Sequence, residues 1–183
     1  FRVIANAFYA AANPDPDAPV GGSCEPGVIM VAYDSNKNGK PDEWEWFEIS
    51  GSAHKDPTKE LWYDKAVKAE NDVRLIPNYE ITYYRLEKEP ENPNEPEYIR
   101  WEDNQGKSGY KVKNNFHKQP YFPQWVKEDK ITFKGTRLPQ NGIDESGQGN
   151  YFVLYKFRYG YADNETNDRD DSAIDINWAI DKY

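Results

Sequence analysis

The chain holds one cysteine and two histidines, has no apolar run of membrane-spanning length, and carries fewer basic than acidic residues, 23 against 32. Each shortage excludes something. Cys24, in Gly22-Ser23-Cys24-Glu25-Pro26-Gly27, has no partner for an internal disulfide and no second thiol for a soft metal site, so an ordinary buried or half-exposed thiol is expected. His54 and His117 are too few and too far apart in sequence for a histidine metal centre, and each is expected to cap a loop or edge a pocket. There is no glycine-rich phosphate motif, no serine elbow and no HExxH zinc signature. The formal net charge of −9 opposes binding to nucleic acid or to anionic membrane surfaces, because neutralising phosphate takes clustered Lys and Arg. It favours metal cations or neutral ligands, and it also keeps an aromatic-rich chain in solution. No basic segment with an apolar leader precedes the body of the chain, as expected of a mature or truncated polypeptide.

What the chain does have is rings: 14 Tyr, 8 Phe and 6 Trp within a hydrophobic share of only 37%. Large aromatic side chains must make extensive contacts to offset their ordering, and with Val and Ile they suit pleated sheets. A length of 183 residues allows one domain, here 1–183, burying roughly two-thirds of its unfolded surface. Strands are expected over 1–9, 28–33 (the most continuous apolar run, suited to a central strand), 44–49, 79–87, 98–101, 131–136, 151–159 and the alternating 174–181. In the fourth of these, Tyr79, Ile81 and Tyr83 point one way and Glu80, Thr82 and Tyr84 the other. Asp56 can cap a short helix with Pro57 at its first position and Trp62, Ala66 and Ala69 on one face, although 61–63 can equally be extended. The expectation is an all-β fold, an antiparallel β-sandwich of jelly-roll-like form, with long loops and one short helix. The last alternating pattern ends two residues before Tyr183, so the chain is expected to stop before the domain does.

The densest motif is Asp34-Ser35-Asn36-Lys37-Asn38-Gly39-Lys40-Pro41-Asp42-Glu43-Trp44-Glu45. Oxygen-bearing residues at positions one, three, five, nine and twelve, with glycine at six, match the turn that encloses calcium. The expected ligands are Asp34, Asn36 and Asn38 through side chains, Lys40 through its carbonyl, Asp42 directly or through water, and Glu45 at the twelfth position. Glu43 or Glu48 can supply that last oxygen instead, because an extended segment follows rather than a helix. Calcium would act as a structural cofactor tying two strands together. A second acidic stretch, 163–171, has oxygen ligands in abundance but no glycine or regular spacing, and a solvated loop is expected there.

A binding surface is expected in Phe116-His117-Lys118-Gln119-Pro120-Tyr121-Phe122-Pro123-Gln124-Trp125, where prolines hold rings in a preformed loop. Phe122 and Trp125 are expected to close the core, leaving His117, Gln119 and Tyr121 to face outward. Trp101, Asp103 and Asn104 form a second polar-aromatic patch, suited to a sugar or to a packed turn. Carboxylates are plentiful, but abundance says nothing of their separation across a sugar ring.

The ordered combination of 24–27, 34–42, Trp46-Phe47-Glu48, Gly51-Ser52, 79–85, 101–106, 116–120 and 160–164 resembles a family of secreted or surface-exposed Bacteroidetes proteins, often described as PKD-associated. The resemblance covers most of the chain. It implies export and attachment to the outer surface through a lipidated region outside this sequence. It also implies an association with outer-membrane uptake of cobalamin or other nutrients, so a cobalamin-like compound or a glycan is the expected ligand of a non-enzymatic module. A structural or adhesion module and a carbohydrate-active enzyme are the alternatives. By the same resemblance, the segment around 61–69 is an insertion, another extended region follows 174–181, and the spacing from Asp42 to Trp46 differs from the family's.

Overall fold

The computed structural model describes residues 1–10, 17–115 and 118–180. In chain order its strands are β1 (Phe8–Tyr9), β2 (Gly21–Ser23), β3 (Met30–Ala32), β4 (Trp46–Ile49), β5 (Ile76–Tyr84) and β6 (Ile99–Asp103). After these come β7 (Ser108–Lys111), β8 (Lys130–Arg137), β9 (Gly142–Asp144), β10 (Phe152–Tyr155) and β11 (Ala179–Ile180). Two short helices, α1 (Ser52–Lys55) and α2 (Tyr63–Lys68), lie between β4 and β5. Antiparallel pairing runs through the sheets, as expected, and the two short helices make this a mixed α/β fold rather than an all-β one. None of the described helices is long and apolar enough to cross a membrane.

The chain divides into two compact units, Phe1–Ile76 with Leu138–Tyr183, and Pro77–Arg137. The first holds a sheet ordered β1-β2-β10-β9 and another ordered β11-β4-β3. Residues 28–33, expected as a central strand, supply the edge strand β3, and β4 takes the centre. The core collects Trp62 and Ala66 around α2 with Ile143, Val153, Tyr155, Phe157 and Tyr161. Trp62 is fully buried, and its indole N–H donates to the Lys156 carbonyl at 3.0 Å, satisfying the one polar atom that its burial would otherwise strand. Asp56 does cap, its carboxylate accepting from Thr58 N at 3.0 Å, but the turn it starts is the 3₁₀ segment Pro57–Lys59; Ala69 is exposed.

Expected strand 1–9 pairs only at β1. Before it the chain is strapped to the acidic stretch: Ile174 N donates to the Phe1 carbonyl at 2.8 Å, and Ala5 N and Asn6 N donate to Asn167 and Asp163 side chains. Within expected strand 174–181 only Ala179–Ile180 pair as β11, and Ile176–Trp178 form a 3₁₀ turn, because the Asp175 carboxylate accepts from Asn177 N at 2.9 Å and bends the backbone. Here a local polar cap overrides apolar alternation.

The second unit is a sheet ordered β7-β6-β5-β8. Ile81 opposes Asp103 and Tyr83 opposes Trp101, while Ile99 opposes Lys111. Opposed residues share a face, so these side chains and Tyr79, whose hydroxyl donates to Asp103 at 2.7 Å, lie on one side. Thr82 meets Thr132, Lys134 pairs with Glu80 and Arg100 pairs with Glu102 on the other. The alternation read from 79–84 is thus realised, with one apolar face and one polar face. Its core is Tyr98, Ile99, Phe122 and Val126.

Candidate functional site

The Asp34 to Glu45 loop closes on itself rather than on a cation. Glu45, 1% exposed, accepts from Ser35 N at 2.7 Å, Ser35 Oγ at 2.9 Å and Asn36 N at 3.3 Å through one oxygen and from Asp42 N at 3.1 Å through the other. Asp34 accepts from the backbone N–H groups of Asn38 and Gly39, and the side-chain carbonyl of Asn38 accepts from Lys40 N at 2.8 Å. Asn36 and Asn38 turn their amide N–H groups onto Asp42 at 2.6 and 2.8 Å. Burial pushes the Glu45 carboxyl up, but the hydrogen bonds from Asp42 and Ser35 outweigh it and hold the group below its ordinary range. The side-chain oxygens of Asp34, Asn36, Asn38, Asp42 and Glu45 are therefore engaged by donors of the loop itself. Among the described residues, no group of three or more His, Cys, Asp or Glu side chains is placed to hold a metal ion. That finding overturns calcium as cofactor and the description of the chain as metal-binding. Gly39 does take the positive φ, +79°, that a sixth-position glycine was expected to supply.

The strongest site is a cleft of about 320 Å³ on the apolar face of the second unit, lined by Tyr83, Ile99, Lys111, Tyr121, Phe122, Pro123, Ile131 and Phe133. Its floor follows from strand register: Tyr83 on β5, Ile99 on β6 and Lys111 on β7 project to one side, and β8 adds Ile131 and Phe133. Tyr83 and Phe133 meet edge to face, with centroids 6.1 Å apart.

The opposite wall is the proline-punctuated segment 121–123. The hydroxyl of buried Tyr98 accepts from Tyr121 N at 3.1 Å and donates to Glu89 at 2.9 Å, while the two tyrosine rings pack in a T at 4.9 Å. Phe122 lies under the Arg85 guanidinium, 4.4 Å from its ring centre, and that guanidinium donates to the carbonyls of Val126 and Glu128. Burial raises the pKa of the Tyr83 phenol, and burial followed by the Glu89 hydrogen bond outweighs Tyr121 N in raising that of Tyr98. Both are neutral hydroxyls at ordinary pH. The described lining has no carboxylate, histidine or cysteine, and its single charge is Lys111. The described walls thus offer ring faces and aliphatic side chains beside one cationic head.

Of the residues expected to bind, Tyr121 lines the cleft, and its hydroxyl accepts from Asn114 N at 3.2 Å. Trp101 shares the face but lies outside the lining, packed across Gly109, where a Cβ would come within 3.0 Å of the indole. Asn104 is spent on its hairpin turn, donating to the Asn78 carbonyl at 2.7 Å, and Asp103 is held below its ordinary pKa because hydrogen bonds from Tyr79, Lys107 N and Gln105 N outweigh desolvation. Gln119 is exposed and outside the cleft. His117 lies outside the described residues. Phe122 closes the core as expected, but Trp125 does not: it is 79% exposed. Lys111, Ile131 and Phe133 were missed; alternation in 131–136 signalled the shared face of the last two, but which strands flank it is not written locally.

Two buried polar clusters lie in the first unit. His54 Nε2 meets Glu48 at 2.6 Å and Nδ1 meets the Tyr161 hydroxyl at 2.9 Å; that hydroxyl also accepts from Ala53 N, and burial drives its pKa up. Glu165 accepts from Tyr9 and Lys156, and burial, then the charge of Asp171, push it up to about 7. The Lys156 ammonium donates to both Glu165 and Asp171 and so ties the two carboxyls together. Cys24 is buried, and desolvation raises its thiol to about 11, opposed by Lys156.

No protein-family model matches the chain, and no curated protein matches it either.

Proposed function

We propose that this chain is a non-catalytic binding module and that the cleft on β5 to β8 receives the apolar ring of a compact amphipathic ligand. One observation carries the reading: an open, ring-sized cleft of about 320 Å³ walled by Tyr83, Tyr121, Phe122, Ile131 and Phe133. That volume sits at the lower end of small-molecule sites, which span about 300–1,000 Å³. A corrinoid macrocycle can therefore lay only one edge into it. A single sugar fits by size, but few polar partners line the walls for its hydroxyls, and unpaired polar groups are costly to bury. A flat apolar ring with one polar end suits the lining better.

Within this reading, the module belongs to a surface-exposed protein and passes a nutrient to outer-membrane partners; the motif resemblance supports that setting. The one-sided burial of the second sheet supports the finer view of the fold as half of a jelly-roll-like sandwich.

The test is an amide-NMR screen of small ring compounds, cobalamins and oligosaccharides. Small ring compounds are expected to perturb Tyr83, Lys111 and Phe133, and Phe133→Ala, at an exposed position, is expected to weaken their binding about five-fold or more. Perturbations confined to residues outside the cleft, or to no site at all, would overturn the reading.

A further inference from the structure

Building on the cleft as a binding site, we infer that its ligand is an anion: a compact apolar ring carrying one carboxylate, with the ring against Tyr83, Ile131 and Phe133 and the carboxylate on the Lys111 ammonium. The argument is one of charge complementarity. Lys111 is the only charged residue among those described in the lining, and it forms no ion pair among the described residues. Other described cations of this unit are engaged. Lys113, two residues on, pairs with Glu89 at 2.9 Å and sits over the Tyr98 ring; Arg100 pairs with Glu102 at 2.6 Å, Lys134 with Glu80 at 3.3 Å, and Arg85 is spent on backbone carbonyls.

In a chain of net charge −9, an uncommitted ammonium at the mouth of an apolar cleft has two effects. Its stem extends the apolar wall while its head reaches water. It also marks the one point of this cleft where an anion gains, while the acidic remainder of the surface repels the same anion and confines it to the cleft. The neutral Tyr83 and Tyr98 phenols add no competing charge. Hydroxyl-rich rings gain little from these walls, which separates an apolar ring acid from an acidic sugar.

The probes are benzoate, its neutral isostere benzamide, glucuronate and glucose, titrated into the full chain and followed by amide NMR, in wild type, Lys111→Met and Phe133→Ala. Met keeps the apolar stem and removes the charge. Benzoate is expected to bind wild type at least about ten-fold more tightly than benzamide, with Lys111→Met abolishing that preference, since one charge-assisted hydrogen bond is worth about one to two powers of ten. Phe133→Ala is expected to weaken both. Equal binding of benzoate and benzamide, unchanged in Lys111→Met, overturns the anion inference and leaves the cleft reading standing. Preference for glucuronate over benzoate overturns the apolar-ring half. Absence of any binding that Phe133→Ala alters overturns the cleft reading itself.

Discussion

His54 shows how a residue type associated with catalysis is absorbed into architecture. Its ring bridges Glu48 on β4 and Tyr161, three side chains that are almost wholly buried, and it stacks on the tyrosine at 5.8 Å. Replacing it takes a hydrogen-bond partner from two buried polar groups at once. His54→Ala is therefore expected to destabilise the fold by about 1–3 kcal/mol in urea denaturation, with ligand binding in the cleft unchanged below the unfolding transition. Glu45 teaches the same lesson in the acidic loop. Its position suggested a metal ligand, and its oxygens instead gather the N–H groups of Ser35, Asn36 and Asp42.

Short elements here are held by close backbone approach as much as by hydrogen-bond ladders. Gly51, at the start of α1, and Gly160 pass so near each other that a Cβ on Gly160 would stand 2.5 Å from the Gly51 Cα, and Ser52 N reaches the Tyr159 carbonyl at 3.0 Å. Gly160 also has φ +90°. Gly160→Ala is thus penalised twice, by backbone strain and by overlap with main chain that cannot swing aside, and is expected to cost on the order of 3 kcal/mol or more. Gly147→Ala, at φ +63° with open space around it, is the control and is expected to cost only about 1 kcal/mol. Thermal unfolding of the pair separates clash from strain. Between strands, the second sheet puts its apolar face under 121–126 because Tyr98, Arg85 and Glu89 each anchor that segment or its neighbours.

At the scale of the whole molecule, an excess of acid makes stability depend on pH through the buried carboxyls. Glu165 titrates near 7 in the folded chain, raised by burial and then by Asp171, against about 4.3 when unfolded. The folded form thus holds a proton that the unfolded form has lost. This contribution is complete below about pH 4.3 and disappears as pH rises through about 7. Glu60, raised by burial against Ser52 and Arg158, acts in the same direction. The melting temperature is therefore expected to fall between pH 5 and pH 8, and Glu165→Gln is expected to flatten that slope; an unchanged slope would show that Glu165 is not its source. The chain folds as two compact units, the second formed by a continuous stretch and the first by the segments on either side of it.

By itself the sequence determined what depends on neighbours along the chain. Alternation in 79–84 set the two faces of β5, Asp56-Pro57 set a capped turn, Gly39 set a sharp bend, and the proline-held rings of 118–125 set a covering loop. Tyr121 was legible as a ring of that loop, and it lines the cleft. Tertiary structure alone decided what depends on register and on competition for partners. The cleft needs Tyr83, Ile99, Lys111 and Phe133 from four strands, and only pairing brings them together. The acidic loop has the composition of a cation site, but composition counts oxygens without saying which donors reach them first, and here the loop's own N–H groups do.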